Sequence, residues 1–193
     1  MNLSLENTIG SSGTLVAGVD EAGRGPLAGP VYAAAVIWPE GLNFSKINDS
    51  KKLSQKARES LYEYITTNAV CAIASASVAE IDELNVLGAA LLAMRRAVEA
   101  LPQKPEYLLV DGNVFRGFDI PGRCVIGGDA LSVSIAAASI LAKVARDRFM
   151  VELDALYPGY GFAQHKGYGT KAHKEAFHLF GPSPAHRRDF HFK

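Results

Sequence analysis

Four acidic residues lie where an apolar run of the chain meets glycine, and their type and placement suit them to chemistry. Asp20 and Glu21 follow the run LVAGV, Asp111 follows YLLV and precedes Gly112, and Asp129 follows VIGG. Ligands collect at strand ends in α/β sheets, although a single carboxylate there more often caps a helix or solvates a turn. Four convergent carboxylates would destabilise the fold unless a cation neutralised them. Such a cluster therefore indicates a metal site.

The kind of metal follows from the ligands. Oxygen donors favour Mg²⁺ or Mn²⁺ over zinc, which prefers nitrogen and sulfur. Two such ions, roughly 3.5–4 Å apart, suit in-line displacement at phosphorus, because one activates the attacking water and the other stabilises the departing oxygen. Neighbouring residues on a strand point to opposite faces. Asp20 and Glu21 can therefore share one site only if their strand ends there, which Gly23 and Gly25 allow.

The glycine-rich segment GRGPLAG, residues 23–29, formally matches the dinucleotide-binding pattern GxGxxG/A. That pattern requires a helix whose N-terminus meets pyrophosphate, but Pro26 and Pro30 break any helix here, and residues 31–38 have the composition of a strand. Dinucleotide binding is therefore disfavoured. Glycines on both sides of Arg24 instead let the backbone approach a hydroxyl or a phosphate without interference from a Cβ atom. A simple tight turn is the alternative.

The elements that must position these residues can be read from apolar runs and their boundaries. Short runs bounded by Gly and Pro predict strands at residues 14–19, 31–38, 71–78, 107–110 and 123–126. Capping residues and helical periodicity predict helices at 54–67, 86–100, 133–156 and about 171–180. We expect an α/β fold with a mixed five-stranded sheet flanked by helices. Residues 1–13 are predicted to be a flexible lead, and 14–193 one domain that includes a helical and irregular extension at about 158–193.

Composition agrees with a single globular domain. The chain has 193 residues, of which 48% are hydrophobic and 21% charged, which excludes disordered, collagen-like and coiled-coil classes. Basic and acidic residues are equal at 20 each, so the whole chain does not point to a polyanionic partner. Residues 164–193 are nevertheless basic and hold all five histidines. The bases are Lys166, Lys171, Lys174, Arg187, Arg188 and Lys193, against the acids Glu175 and Asp189.

Cysteines and hydropathy indicate a cellular compartment. Cys71 and Cys124 form no CxxC pair, so neither a disulfide framework nor a thiolate zinc site is expected. The uncharged stretch 130–142 falls short of the roughly 20 residues that span a bilayer. Residues 1–14 lack the basic start and apolar centre of a signal peptide. We therefore predict a cytoplasmic monomer that does not contact membranes.

The ordered set of motifs resembles that of the bacterial ribonuclease HII family, a type 2 ribonuclease H. The matching segments are DEAGRG at 20–25, DSKKL at 49–53, Asp111-Gly112, Asp129, AASILAKVARD at 137–147 and HKGY at 165–168. The likeness runs from about residue 14 to the end, and the combination is highly specific. Gly169 and Asp189 depart from the pattern, where many relatives have proline and serine, and both lie outside the acidic cluster.

The resemblance implies an RNase H-like fold and an endonuclease for the RNA strand of RNA–DNA hybrids. It also implies cleavage 5′ of single ribonucleotides embedded in duplex DNA, which leaves 3′-hydroxyl and 5′-phosphate ends and serves ribonucleotide removal. By motif, the metal ligands would be Asp20, Glu21, Asp111 and Asp129, with Asp20 as the bridge between two ions. Gly23, Arg24, Gly25 and Tyr168 would read the ribonucleotide 2′-hydroxyl, the group that distinguishes RNA from DNA. A core-plugging aromatic is the alternative for Tyr168.

Basic residues within and near these motifs are candidates for the phosphate backbone, where binding is independent of sequence. They are Lys51, Lys52, Lys143, Lys166, Arg187 and Arg188. A solvated surface is the ordinary alternative for each. Asp147 is interpreted as the i, i+4 salt-bridge partner of Lys143 and not as a ligand. His165, His173, His178, His186 and His191 have no common ligand spacing, so solvated or phosphate-facing positions are expected for them.

Two other function classes fit the sequence less well. A catalytically silent binder of RNA–DNA hybrids would keep the basic segment but should lack one of the acids, and all four are present. A nucleotide-dependent dehydrogenase or kinase is disfavoured, because the chain has no Walker lysine pattern and its glycine loop leads into a strand. A metal-dependent ribonuclease is the function that the sequence favours.

Overall fold

The computed structural model describes residues 4–9 and 13–188. Five strands form its sheet: β1 (Val16–Ala22), β2 (Val31–Ile37), β3 (Val70–Ala76), β4 (Tyr107–Asp111) and β5 (Gly122–Val125). The helices are α1 (Ser4–Thr8), α2 (Gln55–Asn68), α3 (Val78–Glu99), α4 (Val133–Leu156), α5 (Phe162–His165) and α6 (Lys171–Phe180). Two single 3₁₀ turns occur at Ser50–Lys52 and Gly128–Ala130.

The sheet is mixed and five-stranded, as predicted. Its strand order is β3-β2-β1-β4-β5. The first three strands form an antiparallel meander, while β4 and β5 run parallel to β1. Val19 of β1 is paired with Val110 of β4, so the next residues, Asp20 and Asp111, come side by side. The parallel pairing of β1 and β4 therefore brings two of the predicted site acids to the same edge.

Helices cover both faces of the sheet, and strand β2 shows why. Ala33 and Ala35 pack in the core beneath α3, whereas Ala34 and Val36 pack in the core beneath α2 and α4. Successive strand residues point to opposite faces, so a strand buried on both sides needs an unbroken apolar sequence. The run VYAAAVIW meets that requirement.

The long helix α4 lies unusually close to the central strand. Ser132 caps it through a hydrogen bond from the backbone N–H of Ile135. A Cβ atom on Gly18 of β1 would lie 2.2 Å from the backbone nitrogen of Ile135. Only glycine at position 18 permits this spacing, which fixes the end of β1 relative to α4.

Helix α3 begins earlier than predicted. The sequence analysis placed a strand at 71–78 and a helix at 86–100, but β3 ends at Ala76 and α3 starts at Val78. The reason is a capping box, in which the side chains of Ser77 and Glu80 each accept a hydrogen bond from the backbone N–H of the other residue. The helix kinks at Asn85, whose Oδ1 accepts hydrogen bonds from two amides of the next turn. Residue 86, the predicted start of the helix, is therefore the point at which α3 resumes after the kink.

Part of the predicted flexible lead, 1–13, forms a helix instead. In α1, one carboxylate oxygen of Glu6 accepts hydrogen bonds from the hydroxyls of Ser132 and Ser134, both at 2.6 Å. It also accepts one from the backbone N–H of Ser134 at 3.0 Å. A carboxylate at the start of a helix is favourable because it meets unpaired amides and the positive end of the helix dipole. Residues 1–3 and 10–12 lie outside the described residues.

The extension after residue 158 packs against the end of α4. Its helix α6 is as predicted, and the short α5 adds to it. Phe162 and Tyr160 are stacked and join Met150 of α4 in one buried cluster. A single β-bridge joins Ala28 to His186, so the extension also pairs with the glycine-rich segment. Three residues noted above, Asp189, His191 and Lys193, lie outside the part of the chain that the structure describes.

No helix within residues 4–9 and 13–188 is both long enough and apolar enough to span a lipid bilayer.

The contact between β1 and α4 can be tested by Gly18→Ala. We expect a loss of about 3 kcal/mol or more in the free energy of unfolding, because a buried methyl group would overlap backbone atoms that cannot move independently. Urea denaturation measures this change. Gly41→Ala is the control, since an added Cβ at Gly41 would have no atom within 4 Å, and the positive φ of Gly41 is the only source of strain there. It should lose only about 1 kcal/mol. Equal losses in the two variants would contradict the close packing.

Candidate active site

The four predicted acids lie at one edge of the sheet. β1 continues to Ala22, so the expectation that the strand ends at Asp20 and Glu21 is wrong, but both residues still line the same pocket. Asp111 ends β4, and Asp129 lies on the 3₁₀ turn that follows β5. Asp20 and Asp129 are only 5% and 6% exposed.

The acids influence one another electrostatically. Burial raises the pKa of Asp20 well above its ordinary value, and the charges of Glu21 and Asp111 raise it further. Burial also raises the pKa of Glu21, although the positive charge of Arg24 opposes the shift. The pKa of Asp111 is raised by burial and by the charge of Asp129. These shifts mean that ionising Asp20, Glu21 and Asp111 together costs free energy unless positive charge is supplied.

Each carboxylate has a local partner. The Oδ1 atoms of Asp20 and Asp111 accept hydrogen bonds of 2.7 Å, from the backbone N–H groups of Glu21 and Gly128 respectively. Arg24 approaches Glu21 at 3.4 Å, and Lys51 approaches Asp129 at 3.2 Å. Within the described ranges, no three carboxylate, imidazole or thiolate groups are arranged to hold one ion. A cation bound here would coordinate carboxylate oxygens that now accept some of these hydrogen bonds and ion pairs.

The donor set fits a hard divalent cation. All four candidates offer oxygen, which Mg²⁺ and Mn²⁺ prefer. Three of them have raised pKa values caused by burial and by neighbouring negative charge, and a cation would relieve both effects. The amine of Lys51 beside Asp129 belongs to a side chain that is 81% exposed, so it can move away without loss of buried contacts.

A pocket of about 270 Å³ opens in front of the acids. It brings together nine of the residues singled out from the sequence: Asp20, Glu21, Gly23, Arg24, Gly25, Lys51, Asp111, Lys143 and Tyr168. Asp129 and Lys166 do not line it. The hydroxyls of Ser50 and Ser139, which the sequence analysis missed as site residues, line the pocket and are hydrogen-bonded to each other at 2.7 Å. Both serines lie inside recognised motifs, which was the available signal.

Tyr168 lies over the glycine-rich segment. A Cβ atom on Gly25 would be 3.6 Å from Cε1 of the Tyr168 ring. The backbone N–H of Leu27 donates to the carbonyl oxygen of Gly167 at 2.8 Å, which joins the segment to the HKGY turn. Tyr168 is 45% exposed, so it is not a core-plugging aromatic. Its ring and the backbone of residues 23–25 form one wall of the pocket.

Known proteins resemble this chain along most of its length. The sequence model of the family Ribonuclease HII matches residues 17–193. This chain belongs to the ribonuclease HII family. A relative named ribonuclease HII from Desulfitobacterium hafniense (strain DSM 10664 / DCB-2) is 56% identical over 176 residues, which cover 91% of this chain and 68% of that protein. The chain is therefore a nuclease, and the family supports cleavage of the RNA strand of RNA–DNA hybrids.

Solved structures share the fold. The RNase HII in a PCNA complex from Archaeoglobus fulgidus aligns with a TM-score of 0.76 and 25% identity, over 93% of this chain and 96% of that one. Bst-RNase HIII in complex with Mn²⁺ aligns with a TM-score of 0.65 and 20% identity, over 86% and 70% of the two chains. The predicted RNase H-like fold is thereby confirmed.

One basic residue does not have the position predicted for it. Arg187, expected to contact phosphate, is 3% exposed. Its guanidinium donates to the carbonyl oxygens of Gly23, Arg24, Pro26 and Gly29. Burial lowers its pKa to about 9, so it is still charged at neutral pH. The phosphate assignment is wrong, because the side chain points into the protein behind the glycine-rich segment.

Arg146 was not singled out from the sequence, yet it is buried at the same place. It is 1% exposed and donates to the carbonyl oxygens of Pro30, Lys166 and Ala28 at 3.0, 3.0 and 3.1 Å. A Cβ atom on Gly23 would lie 2.1 Å from its Nε. Its place in the AASILAKVARD motif was the available signal, but the motif alone does not show what the side chain contacts.

The remaining basic candidates differ in how exposed their charged groups are and in which protein groups they already contact. Lys143 bonds to Asp147 at 2.7 Å, which confirms the predicted i, i+4 pair. The amine of Lys166 donates to the carbonyl oxygen of Ala163. Lys52 is exposed. Arg188 is exposed, with its side chain near Asp82 at 3.5 Å.

The histidine prediction is wrong for three of the five. His165, His173 and His186 form a partly buried cluster with Phe162, and His173 is fully buried. His173 must donate from Nδ1, because its partner there is the carbonyl oxygen of Tyr168 at 2.9 Å. Its Nε2 lies 3.1 Å from Nε2 of His186 and accepts in the neutral ring. Helix α6 folds back on α5, which the spacing of the histidines does not reveal. His178 is exposed, and His191 is beyond the described residues.

The buried His173 predicts a dependence of stability on pH. Burial lowers the pKa of His173 to about 4 from 6.5. Between pH 6.5 and pH 4 the imidazole is therefore protonated in the unfolded chain but neutral in the folded chain. The contribution of neutral His173 to the free energy of unfolding is complete above pH 6.5 and is lost as the pH falls towards 4. At pH 5 the native state should have lost about 1–2 kcal/mol relative to pH 7.5 through this group.

The measurement is urea unfolding at both pH values in EDTA, for the native chain, His173→Gln and the exposed His178→Gln. The difference between pH 7.5 and pH 5 should shrink in His173→Gln and stay unchanged in His178→Gln. The same pH difference in all three proteins would contradict a neutral buried His173.

Proposed function

We propose that this protein cuts duplex DNA on the 5′ side of a single embedded ribonucleotide by two-metal-ion catalysis and leaves 3′-hydroxyl and 5′-phosphate ends. The observation that carries the proposal is the pocket itself, in which buried carboxylates face a wall built from Tyr168 and residues 23–25. A phosphate held at the acids places the adjoining ribose against that wall. Such a site serves the removal of ribonucleotides from DNA.

Asp20, Glu21, Asp111 and Asp129 would hold Mg²⁺ or Mn²⁺. When bound, such ions generate the attacking hydroxide and neutralise charge on the departing oxygen. Asp20 is the best candidate for a shared ligand, because its pKa is raised by burial and by all three other acids. The structural neighbour Bst-RNase HIII was solved in complex with Mn²⁺, which supports a divalent ion as the group held here.

The wall of the pocket suits a ribose. Arg24 and Gly25 are exposed at its rim, and glycine at position 25 leaves room for the sugar beside the Tyr168 ring. The tyrosine hydroxyl can donate to or accept from a 2′-hydroxyl, and the ring can stack on the sugar or on a base. A deoxyribose offers no such hydrogen bond, and the polar groups left unpaired would then disfavour it.

Basic side chains around the pocket suit the phosphate backbone. Lys51 and Arg24 are 81% and 48% exposed and face the opening. Lys143 also lines the pocket, with its amine shared with Asp147. Lys52 is exposed next to Lys51 in the sequence, and Lys166 lies in the HKGY turn beside Tyr168. These contacts would be independent of base sequence and weakened by salt. A monomer acting in the cytoplasm stays a prediction.

The metal-ligand assignment is tested by Asp20→Asn. We expect cleavage of a duplex with one ribonucleotide to fall by at least about a thousandfold, while the affinity for the duplex stays within about threefold of that of the native chain. The assay follows the cut position on a gel with Mg²⁺, Mn²⁺ or EDTA. Asp119→Asn, at an exposed acid away from the pocket, is the control and should remain fully active.

Near-normal activity of Asp20→Asn, or cleavage in EDTA, would refute the metal site. Binding without cleavage by the native chain would favour a silent hybrid-binding protein. Cleavage of long hybrids alone would keep the metal site and remove the assignment of Tyr168.

The ribose assignment is tested by Tyr168→Phe and Tyr168→Ala. Loss of the hydroxyl should reduce the preference for a ribonucleotide duplex over an all-DNA duplex by about tenfold, and loss of the ring should reduce it further. Competition between the two duplexes during cleavage gives the preference directly. Tyr62→Phe, on helix α2, is the matched control. An unchanged preference in both Tyr168 variants would overturn the assignment.

A further inference from the structure

Two arginine side chains are buried directly behind residues 23–30, here named the reading loop. Arg146 comes from α4 and Arg187 from the extension, and they are 1% and 3% exposed. Their charges disfavour each other, since Arg146 contributes to the lowered pKa of Arg187. Burying two like charges together costs free energy, so the filling of space does not by itself explain why both side chains are arginine.

Arg187 turns the carbonyl oxygens of the reading loop inwards. Its Nη2 donates to Gly23 at 2.6 Å, and its Nη1 donates to Arg24 at 3.1 Å and to Pro26 at 2.8 Å. Its Nε donates to Gly29 at 2.8 Å. One planar guanidinium thus fixes four peptide groups of a loop that has no regular secondary structure.

The inward carbonyls determine where the amides point. In a trans peptide the C=O and the following N–H point in opposite directions, and the described residues contain no cis peptide bond. Since the carbonyls of Gly23 and Arg24 point at Arg187, the N–H groups of Arg24 and Gly25 point away from it. That side is the pocket, which both residues line. Arg187 therefore presents two amide donors to whatever occupies the pocket.

The same pair of arginines joins the reading loop to the turn that carries Tyr168. Arg146 donates to Ala28 and Pro30 of the loop and to Lys166 of the turn. The backbone N–H of Arg187 donates to Leu27 of the loop at 3.0 Å, and Leu27 donates in turn to Gly167. The distance between the two amides and the Tyr168 ring is thus set by bonds to the arginines.

We propose that Arg187 is a positioning residue for ribose recognition, which holds the amides of Arg24 and Gly25 towards the 2′-hydroxyl and opposite Tyr168. This rests on the proposed function of the pocket. Arg187 touches no substrate and acts through the loop. Lysine cannot replace it, because a single ammonium group lacks the planar fork that reaches four carbonyl oxygens.

The test compares two constants in the active, metal-loaded protein. One is the KM for a duplex with one ribonucleotide, and the other is the Ki of the same duplex made wholly of DNA as a competitor. In Arg187→Lys we expect the KM to rise about tenfold and the Ki to stay within about twofold. Leu153→Ala is the control for lost stability, because Leu153 lies on α4 in the buried cluster that packs the extension against that helix. It should lower the melting temperature and leave both constants unchanged.

Equal rises of KM and Ki in Arg187→Lys, or no change in either, would overturn the positioning role. If the native chain itself has equal KM and Ki, or if Tyr168→Phe leaves their ratio unchanged, the proposed function fails instead. The two failures are therefore distinguishable.

A second measurement uses the native chain and does not depend on the variant folding. Amide hydrogen exchange should show the N–H groups of Arg24 and Gly25 exchanging fast in the free protein. They should become protected with the ribonucleotide duplex and not with the all-DNA duplex. Equal protection by both duplexes, or by neither, would refute the proposal.

Discussion

The contact between α4 and the central strand β1 is the constraint on which the rest of the structure depends. At Gly18 the helix and the strand are as close as a missing side chain allows. From that point α4 runs past the site and contributes Ser139, Lys143 and Arg146. The same helix supports the extension through Met150. The positions of the acids, the reading loop and Tyr168 relative to one another all trace back to this one contact.

The site combines two opposed electrostatic arrangements within a short distance. Buried carboxylates at the end of β1 and β4 raise one another's pKa, while two buried guanidinium groups behind the reading loop disfavour each other. The acids accept backbone amides and the arginines donate to backbone carbonyls. Backbone N–H and C=O groups therefore provide much of the hydrogen bonding that both the carboxylates and the guanidinium groups need. This explains why loops that contain glycine occur beside both sets of charged groups.

Much of this was predictable from the sequence. The β-branched and alanine-rich runs gave the five strands, and helix periodicity gave α4 and α6 with their boundaries. The start of α3 was missed because Ser77, which caps the helix, falls inside the predicted strand 71–78, and because the kink at Asn85 interrupts the helical pattern. The acids of the site could be named from their motifs and from their positions after apolar runs, but the parallel pairing of β1 and β4 that brings Asp20 and Asp111 together was seen only in the structure.

What could not be predicted is what long side chains do once the chain has folded. Arg187 and Lys166 both lie in a basic segment, yet the first is buried against carbonyls and the second is bonded to a nearby backbone oxygen. His173 sits in an amphipathic helix like His178 and differs only in which face it occupies. Burial of such residues depends on tertiary contacts that neither composition nor spacing encodes.

The bonds from Arg187 to the reading loop also bear on how the chain matures. Gly23 and Arg187 are separated by 164 positions, and Glu6 reaches Ser132 across 126. Contacts of such long sequence separation form late in folding. A ribosome-bound chain can thus assemble the sheet and its carboxylates before the extension emerges, but its reading loop is not yet held in place. If the loop has the role proposed above, ribose is distinguished from deoxyribose only after the extension has been synthesised and has packed.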